Sequence, residues 1–571
     1  MTSERQGVRA RPTPDVVGVV RHYHQRTKHY PGRYAPGPGY LDWANQPDPF
    51  RRFAGARLLE LPLAAVDDTP PYRTLHLPGA TPPRPLSFDS LGLFLELALG
   101  LTAWKAYTGT RWSLRSNPSS GNLHPTEGYV LLPPVAAVSD LAGVYHYAPR
   151  EHALEERCAL TERAWSALSA GLPRGGFLLG LSSVHWREIW KYGERAYRYC
   201  QHDAGHALGS VCFAAAALGW RVKHLAAASD ADVAALLGFD REGDVLEAEP
   251  EFPDLLAAVF PESAAAPGPA LAEGAAEVVA ASRWQGQANR LSPEQVVWPA
   301  ITAVEGAAVK PRTSLPPTRA GEAGTSARPV GAARGAPGSS AGALIRQRRS
   351  AVAMDGRTGL ALEAFVTMLE RTMPDPRRVP WDAFELAPRI HLCLFVHRVA
   401  GLTPGLYMLV RDGDRLDALR RACHKGFAWE GVEASGLPLY RLDLGDCRSA
   451  AAYASCIQDI AGDSAFSLGM IADFARTLED EGPWAYRRLF WEAGLVGQVL
   501  YLEAEAAGVM ATGIGCYFDD VVHRILDLDP GTDAWQSLYH FTVGGAVEDT
   551  RLTTLPAYGH LELARTHIRG R

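Results

Sequence analysis

Two stretches of this chain, 289 positions apart, carry one pattern, and that repeat restricts the fold more than any other feature of the sequence. "AYRYCQHDAGHALGSVCFAAAALGW" begins at Ala196 and "AYRRLFWEAGLVGQVLYLEAEAAGV" at Ala485; the Ala-Tyr-Arg, Ala-Gly and late Gly positions coincide without a gap, and Asp203 falls on Glu492. Apolar residues recur at helical spacing in both, and each stretch ends at a glycine, which predicts a long core helix closed by a glycine C-cap. "GVYHYAPREHALEE", from Gly143, and "GLYMLVRDGDRLDAL", from Gly405, each predict a strand, a turn and a second strand upstream of that helix. The same order of strands and helices twice predicts an α+β domain duplicated within one chain.

Between Glu262 and Ala341 the composition shifts to Ala, Gly, Pro and Ser, and "SLPPTRAGEAGTSARPVGAARGAPGSSAGA" keeps no hydrophobic period. That stretch predicts a disordered linker. The preceding "RWQGQANRLSPEQVVWPAITAV" carries Trp284 and Trp298 and should lie along a domain surface. The expected organisation is a first domain over 1–262, a linker over 263–341 and a second domain over 342–571.

Composition narrows the function classes. With 47% hydrophobic and 21% charged residues and no run near the roughly 20 apolar residues that span a bilayer, the chain should be soluble and not in a membrane. A net charge of −6 lacks the basic footprint of a nucleic-acid binder, so a small-molecule or peptide substrate fits better. Met1 to Arg26 has no apolar core before a small-residue cleavage site, which predicts a cytoplasmic protein. Eight cysteines without a C-x-x-C pair argue against a zinc knuckle or a disulfide framework and predict buried or half-buried thiols. His124, His206 and His224 have no metal-ligand spacing and are expected to be structural, so no metal site is assigned.

Three segments carry candidate chemistry. "RWSLRSNPSSGNLHPTEGYVLL" places Asn117, Ser119, Ser120 and Asn122 in a polar loop before a strand, with donors suited to a ligand rich in acceptors; an ordinary turn has the same composition. "LIRQRRSAVAMDGR" opens the second copy with Arg348, Arg349 and Ser350, a compact anion site or a solvated basic turn. "ATGIGCYFDDVVHRILDLD" contains Gly513, Ile514 and Gly515, whose glycines let backbone lie against a planar ring, and Arg551 in "EDTRLTTLP" offers a second phosphate contact or a surface charge.

Taken together, an R-R-S entrance, a P-S-S-G-N loop, a G-I-G-x-x-F-D-D segment and a terminal basic residue resemble the nitroreductase superfamily. "YHQRTKH", "NPSSGNLHPTEGY", "YHYAPREHALE" and "KYGERAYRYCQHDAGH" in the first copy resemble its SagB/thiazole-oxidase branch, whose members oxidise azoline rings in modified peptides. The resemblance covers nearly all of residues 20 to 260 and 342 to 560. It implies two nitroreductase-like domains forming an intramolecular pseudo-dimer, which could be monomeric in solution, and FMN as cofactor. In that family one protomer supplies the R-x-S and late-glycine segments and its partner the P-S-S-x-N loop. Carried over, Arg348, Arg349, Ser350, Gly513, Ile514, Gly515 and Arg551 of the second copy meet Asn117, Ser119, Ser120 and Asn122 of the first in one composite site. The opposite pseudo-site would need Arg26, Thr27 and Lys28 with a matching loop, where the second copy has "TMPDPRRVPWDAF", and is expected to be degenerate.

The sequence departs from the family where a third basic residue often follows R-R-S: it has Ala351, Val352 and Ala353. Lys28 or a backbone N–H is then the expected donor to the flavin pyrimidine edge. Lys191 and Tyr192 match the Lys-Tyr pair with which azoline-oxidising relatives remove a proton while hydride passes to flavin N5. A desolvated lysine has a lowered pKa suited to a general base; a solvated lysine beside a packed tyrosine is the alternative. The second copy has Asp480 and Glu481 there. The expected activity is FMN-dependent dehydrogenation of a peptide-borne or small heterocycle, with peptide-modifying enzymes as partners. The alternatives are an NAD(P)H-dependent reductase of nitro compounds or quinones and a non-catalytic scaffold of a peptide-modifying complex.

Overall fold

The computed structural model of the chain describes residues 15–241, 243–263, 269–314, 338–384 and 386–561. The two repeated stretches are helices, Ala196–Ala217 and Ala485–Ala506, and each is followed by a glycine with φ near +70°, Gly219 and Gly508. They pack against one another in the middle of the molecule. At the crossing a Cβ on Gly205 would lie 2.3 Å from the Trp491 carbonyl oxygen, and one on Gly494 would lie 2.4 Å from that of His202. Both helices are therefore in backbone contact, which only glycine permits, and almost every residue of each is buried.

A seven-stranded antiparallel sheet accompanies each helix. The first runs, in spatial order, Arg57–Glu60, Ala153–Ala159, Gly143–Ala148, Thr126–Leu132, Phe177–Ser183, Phe252–Pro261 and Trp220–His224. The second runs Glu430–Gly431, Leu439–Leu444, Gly405–Leu409, Ile390–Val396, Phe466–Asp473, Trp535–Gly544 and Met510–Ile514. At six of the seven places the strands come in the same chain order, so the α+β unit is present twice; the edge strand differs, Arg57–Glu60 preceding the other strands of its sheet and Glu430–Gly431 falling between Gly405–Leu409 and Leu439–Leu444. One detail differs from the sequence reading. After Gly405–Leu409 the chain forms not a second strand but the helix Leu416–Ala422, and the hairpin partner arrives later as Leu439–Leu444. The Asp412 carboxylate accepts from the Asp414 amide and turns the chain, and the i, i+3 spacing of Leu416 and Leu419 suits a helix packed by one face.

Both ends of the pseudo-dimer cross over. The helix Val16–Arg26 begins the chain's described part yet reaches the second copy, through Arg21 to Asp533 at 2.8 Å and His24 to Gln536 at 3.1 Å. Conversely, the late strand Thr553–Leu555 pairs with Leu101–Tyr107 of the first copy, and the buried Tyr558 hydroxyl accepts from the Leu101 amide at 2.8 Å. Deeper in, Asp519 of the second copy takes Arg195 at 2.9 Å and Arg198 at 2.7 Å from the first. Burial alone would raise the Asp519 carboxyl, but the two guanidiniums hold it far below the ordinary carboxylate range.

Residues 269–314 pack along the first copy rather than apart from it. Trp284 covers Gly238, where a Cβ would sit 2.6 Å from its ring, and Ile301 and Val304 of the helix Pro299–Ala307 are buried. Of the stretch expected to be disordered, 314–343, residues 315–337 lie outside the described residues, whereas its end is ordered: the Ser339 carbonyl accepts from the Tyr72 amide at 3.1 Å and Ser340 caps the helix Ala341–Gln347. No helix among the described residues is long and apolar enough to cross a membrane.

Valine at either crossing glycine forces two helix backbones apart. Gly205→Val and Gly494→Val should each cost about 1–3 kcal/mol or more, as overpacked cores do, and lower the midpoint of thermal unfolding followed by circular dichroism. An unchanged midpoint in both would contradict this account of the crossing.

Candidate active site

The strand Thr110–Arg115 leads into the polar loop. Its shape rests on its own side chains: Ser119 Oγ accepts from the His124 amide at 2.7 Å, and Asn122 Nδ2 donates to the Ser113 carbonyl at 2.8 Å. Ser120 donates to Asp203 on the first central helix through its amide (3.1 Å) and its hydroxyl (3.0 Å). Three of the expected ligand groups thus have protein partners. Asn117 differs: it is buried, and its Oδ1 has no partner. Gly121, at φ +58°, brings the loop so close to the helix His185–Tyr192 that a Cβ there would meet the Tyr192 hydroxyl at 2.4 Å and Lys191 Nζ at 3.0 Å. The loop and the Lys-Tyr pair therefore face one another. Lys191 is half-buried and not fully desolvated as expected from the sequence.

The second copy closes the other side. Arg348 is buried, lies 5.0 Å from the Tyr501 ring and donates to the Arg115 carbonyl of the first copy at 2.9 Å, while its Nε is unpartnered. Arg349 donates to the Thr102 carbonyl of the first copy at 3.0 Å. Neither arginine forms an ion pair among the described residues. Burial lowers the Arg348 guanidinium, and burial followed by Arg348 brings Arg349 down to about 10. A buried cation next to a half-buried one, neither in a salt bridge with a carboxylate, is costly, and an anion near them would relieve the cost.

Tyr501 ties the remaining pieces together. Its hydroxyl lies 2.8 Å from Ser350 Oγ and accepts from the Gly513 amide at 2.9 Å. A Cβ on Gly513 would sit 1.9 Å from the Tyr539 hydroxyl, and one on Gly515 would sit 2.5 Å from the Tyr199 ring, so neither position tolerates a side chain. Ile514 between them points into the core of the second copy. The Tyr199 hydroxyl donates to the Gly515 carbonyl at 3.1 Å, and its ring lies 4.6 Å from that of Tyr192. A ring of contacts thus runs from Arg348 through Arg115, the polar loop, Tyr192, Tyr199 and Gly515 back to Tyr501.

Arg551 does not join it. Its side chain is 73% exposed and paired with Asp549 at 2.8 Å, because the chain here is leaving the second copy for the strand Thr553–Leu555. Lys28 is likewise engaged elsewhere, with Asp520 at 2.8 Å. Two carboxyls absent from the sequence reading line the site. Glu188, one helical turn before Lys191, is buried with both oxygens unpartnered, and burial followed by Asp203 raises it well above the ordinary range. Burial also raises Asp203 to about 7 against the lowering effect of Ser119 and Ser120.

The opposite pseudo-site is built differently from the sequence reading. Arg26, Thr27 and Lys28 are not the counterpart of R-R-S: Thr27 packs on Arg198, and Arg26 pairs with Glu194 at 2.6 Å. The segment that precedes the helix Phe88–Leu99, as R-R-S precedes Leu362–Thr372, is Tyr72–His76. It too packs on its own central helix, with the Tyr72 and His76 rings 6.0 and 5.8 Å from Phe213. Where the composite site has glycines, the strand Trp220–His224 has side chains. Its Lys223 donates to the Asp382 carbonyl at 3.2 Å, the His224 amide donates to Ala383, and the His224 ring stacks on Phe384. The cavity left between Leu75, Cys212, Val222 and Val379 is about 30 Å³, room for water and not for a cofactor. Asp480 and Glu481, aligned with the Lys-Tyr pair, both bond to Arg389, at 2.8 and 3.3 Å.

Comparison with known proteins agrees with this architecture. The profile described as the nitroreductase family matches residues 83–248 and 399–545, one stretch in each copy. A candidate nitroreductase of Methanocaldococcus jannaschii is 26% identical over 159 residues, 27% of this chain and 75% of its own. Among solved structures, a candidate nitroreductase from Anabaena variabilis superposes with a TM-score of 0.64 at 20% identity, over 93% of this chain and 99% of its own, a likeness of fold. With more than half of its residues matched by the family profile, this chain belongs to the nitroreductase family.

Proposed function

We propose that the chain is an FMN-dependent oxidoreductase with one composite site, acting as a dehydrogenase on a heterocycle carried by a peptide or small molecule. The observation that carries this reading is the meeting at Gly121 of the polar loop with Lys191 Nζ and the Tyr192 hydroxyl, inside the ring closed by Arg348. The residues present suit the cofactor. Arg348, buried, and Arg349, half-buried, are cations that would hold its phosphate, and Asn117 Oδ1 on the polar loop is an orphaned acceptor. Gly513 and Gly515 let Tyr539 and Tyr199 pack directly on the backbone at the edge of the site.

FMN, when bound, supplies an acceptor for hydride. The chain would supply the proton chemistry. Lys191 Nζ takes the proton from the carbon or nitrogen next to the one that loses hydride, as aromatisation of an azoline requires, and the Tyr192 hydroxyl, which burial raises well above the ordinary phenol range, stands beside it as a hydrogen-bond donor. Beside the pair, the Asp203 carboxyl, which burial raises to about 7, can hold or release a proton near neutrality. The polar loop, fixed by Ser119, Ser120 and Asn122, keeps the pair in place.

Cofactor affinity and proton transfer should separate on mutation. Arg348→Ala removes a charge-assisted contact and should cost about 1.5–3 kcal/mol in FMN binding, whereas Asn117→Ala removes a neutral hydrogen bond and should cost about 0.5–1.5; titration of flavin fluorescence measures both. Equal or larger loss in Asn117→Ala would overturn the phosphate role of Arg348.

Lys191→Ala and Tyr192→Phe should retain FMN and reduce the rate of its anaerobic reduction by a thiazoline- or oxazoline-bearing peptide about 100- to 10,000-fold, the usual cost of a lost general base. Unchanged rates would remove the pair from the chemistry. Turnover of NADPH with a nitroarene, without reduction by azolines, would replace the dehydrogenase reading with a reductase, and a purified chain without flavin would favour a scaffold.

A further inference from the structure

Directly after Gly515 stands Cys516, and its sulfur lies 3.0 Å from that of Cys456. The two are 60 residues apart in sequence, both are free thiols, and both are half-buried, while five of the other six cysteines are fully buried. The turn that delivers Cys456 is held in an uncommon conformation: Cys456 and Ile457 both have left-handed backbone, at φ +56° and +58°, which costs energy in residues other than glycine. Gln458 pins the turn to its neighbour by donating to the Ser455 carbonyl at 2.6 Å and the Cys516 carbonyl at 2.9 Å. Ile457 is 67% exposed, so solvent reaches this turn.

The surroundings of the two sulfurs differ. His29 Nδ1 accepts from the Ala35 amide at 2.8 Å, which directs the ring proton to Nε2, where it can be donated to Cys516, and burial lowers the pKa of the ring. Arg195, bonded to the Gly515 carbonyl at 3.2 Å, adds a positive charge on the same side. Asp519, Tyr34, Tyr199 and Tyr192 complete the titratable groups facing the pair. These groups favour the thiolate on Cys516 over Cys456. The hydrogen bond to Cys456, and then His29 and Arg195 against the effect of burial, bring Cys516 down to about 5.

We propose that Cys456 and Cys516 form a redox-active dithiol that reacts with small disulfides of the glutathione type. The Cys516 thiolate attacks one sulfur of the external disulfide; a new S–S bond forms, the old one breaks, and the first thiol leaves with a solvent proton. Cys456 then attacks Cys516 Sγ and closes the internal disulfide. The second thiol leaves carrying the proton of Cys456. One dithiol and one disulfide become one disulfide and two thiols, with no call on a flavin. The closed bond would anchor the segment Gly513–Cys516 to the exposed turn, so the site stands apart from hydride chemistry although it borders the same glycines.

The test uses the full chain, reduced and then exposed at pH 7 to oxidised glutathione, with free thiols blocked by N-ethylmaleimide and peptides mapped by mass spectrometry. A Cys456–Cys516 disulfide should form about tenfold or more faster than any modification of Cys447, the remaining half-buried cysteine, which burial pushes up to about 11. Cys456→Ser should trap glutathione on Cys516, and Cys516→Ser should leave Cys456 unmodified on the same timescale. Should either variant misfold by circular dichroism, the wild-type chain still decides: both cysteines carrying maleimide after the oxidant, or Cys516 modified no faster than Cys447, would overturn the proposal.

Discussion

Everything in this molecule is organised by a contact between two helix backbones. Gly205 and Gly494 let the central helices touch where any side chain would collide with a carbonyl of the partner helix. From that crossing each helix carries a sheet outward, and the two sheets stand in the pseudo-twofold relation that a homodimer has between separate chains. The exchange of arms follows. The first helix of the chain packs on the second copy and the late strand Thr553–Leu555 on the first, so each copy completes the other. The buried Asp519 between Arg195 and Arg198 fixes this arrangement, because a charge so placed has to find its partners across the boundary.

Fusing two copies frees each from the need to be identical, and the two pseudo-sites have diverged. One keeps glycines at Gly513 and Gly515, a buried and a half-buried arginine without a carboxylate salt bridge, and a loop with an orphaned acceptor. In the other, Lys223, His224 and the residues Asp382 to Phe384 have grown together and left space for little more than water. The asymmetry is physical: side chains packed at one place, bare backbone at the other.

The elements that sequence displays are those whose logic is local or repeated. The central helices could be read from apolar spacing, and the duplicated unit from the coincident Ala-Gly positions and the order of strands, whereas the role of those glycines at the crossing needed the fold. The neighbourhood of the Lys-Tyr pair and the polar loop came from the family resemblance, and the chain folds them together. What escaped depends on tertiary placement. Nothing near Glu188 in sequence marks it as a buried, unpartnered carboxyl. Tyr72–His76 shares only an arginine, Arg73, with Arg348–Ser350, so its packing on Phe213 reveals the correspondence. Ser119 and Asn122, polar and thus eligible as ligand donors, are spent on the loop itself. Arg551 looked like a phosphate contact by composition, yet the crossing of the chain to the other copy carries it to the surface.

The claim on which this account stands is that the fused pair of folds retains a single cofactor site. Flavin released from the purified full-length chain after reconstitution with excess FMN, quantified by absorbance against protein, measures it directly. The account predicts a ratio close to one; a ratio close to two would mean that the closed pseudo-site opens and binds, and a ratio near zero would mean that the arginines and glycines serve another ligand.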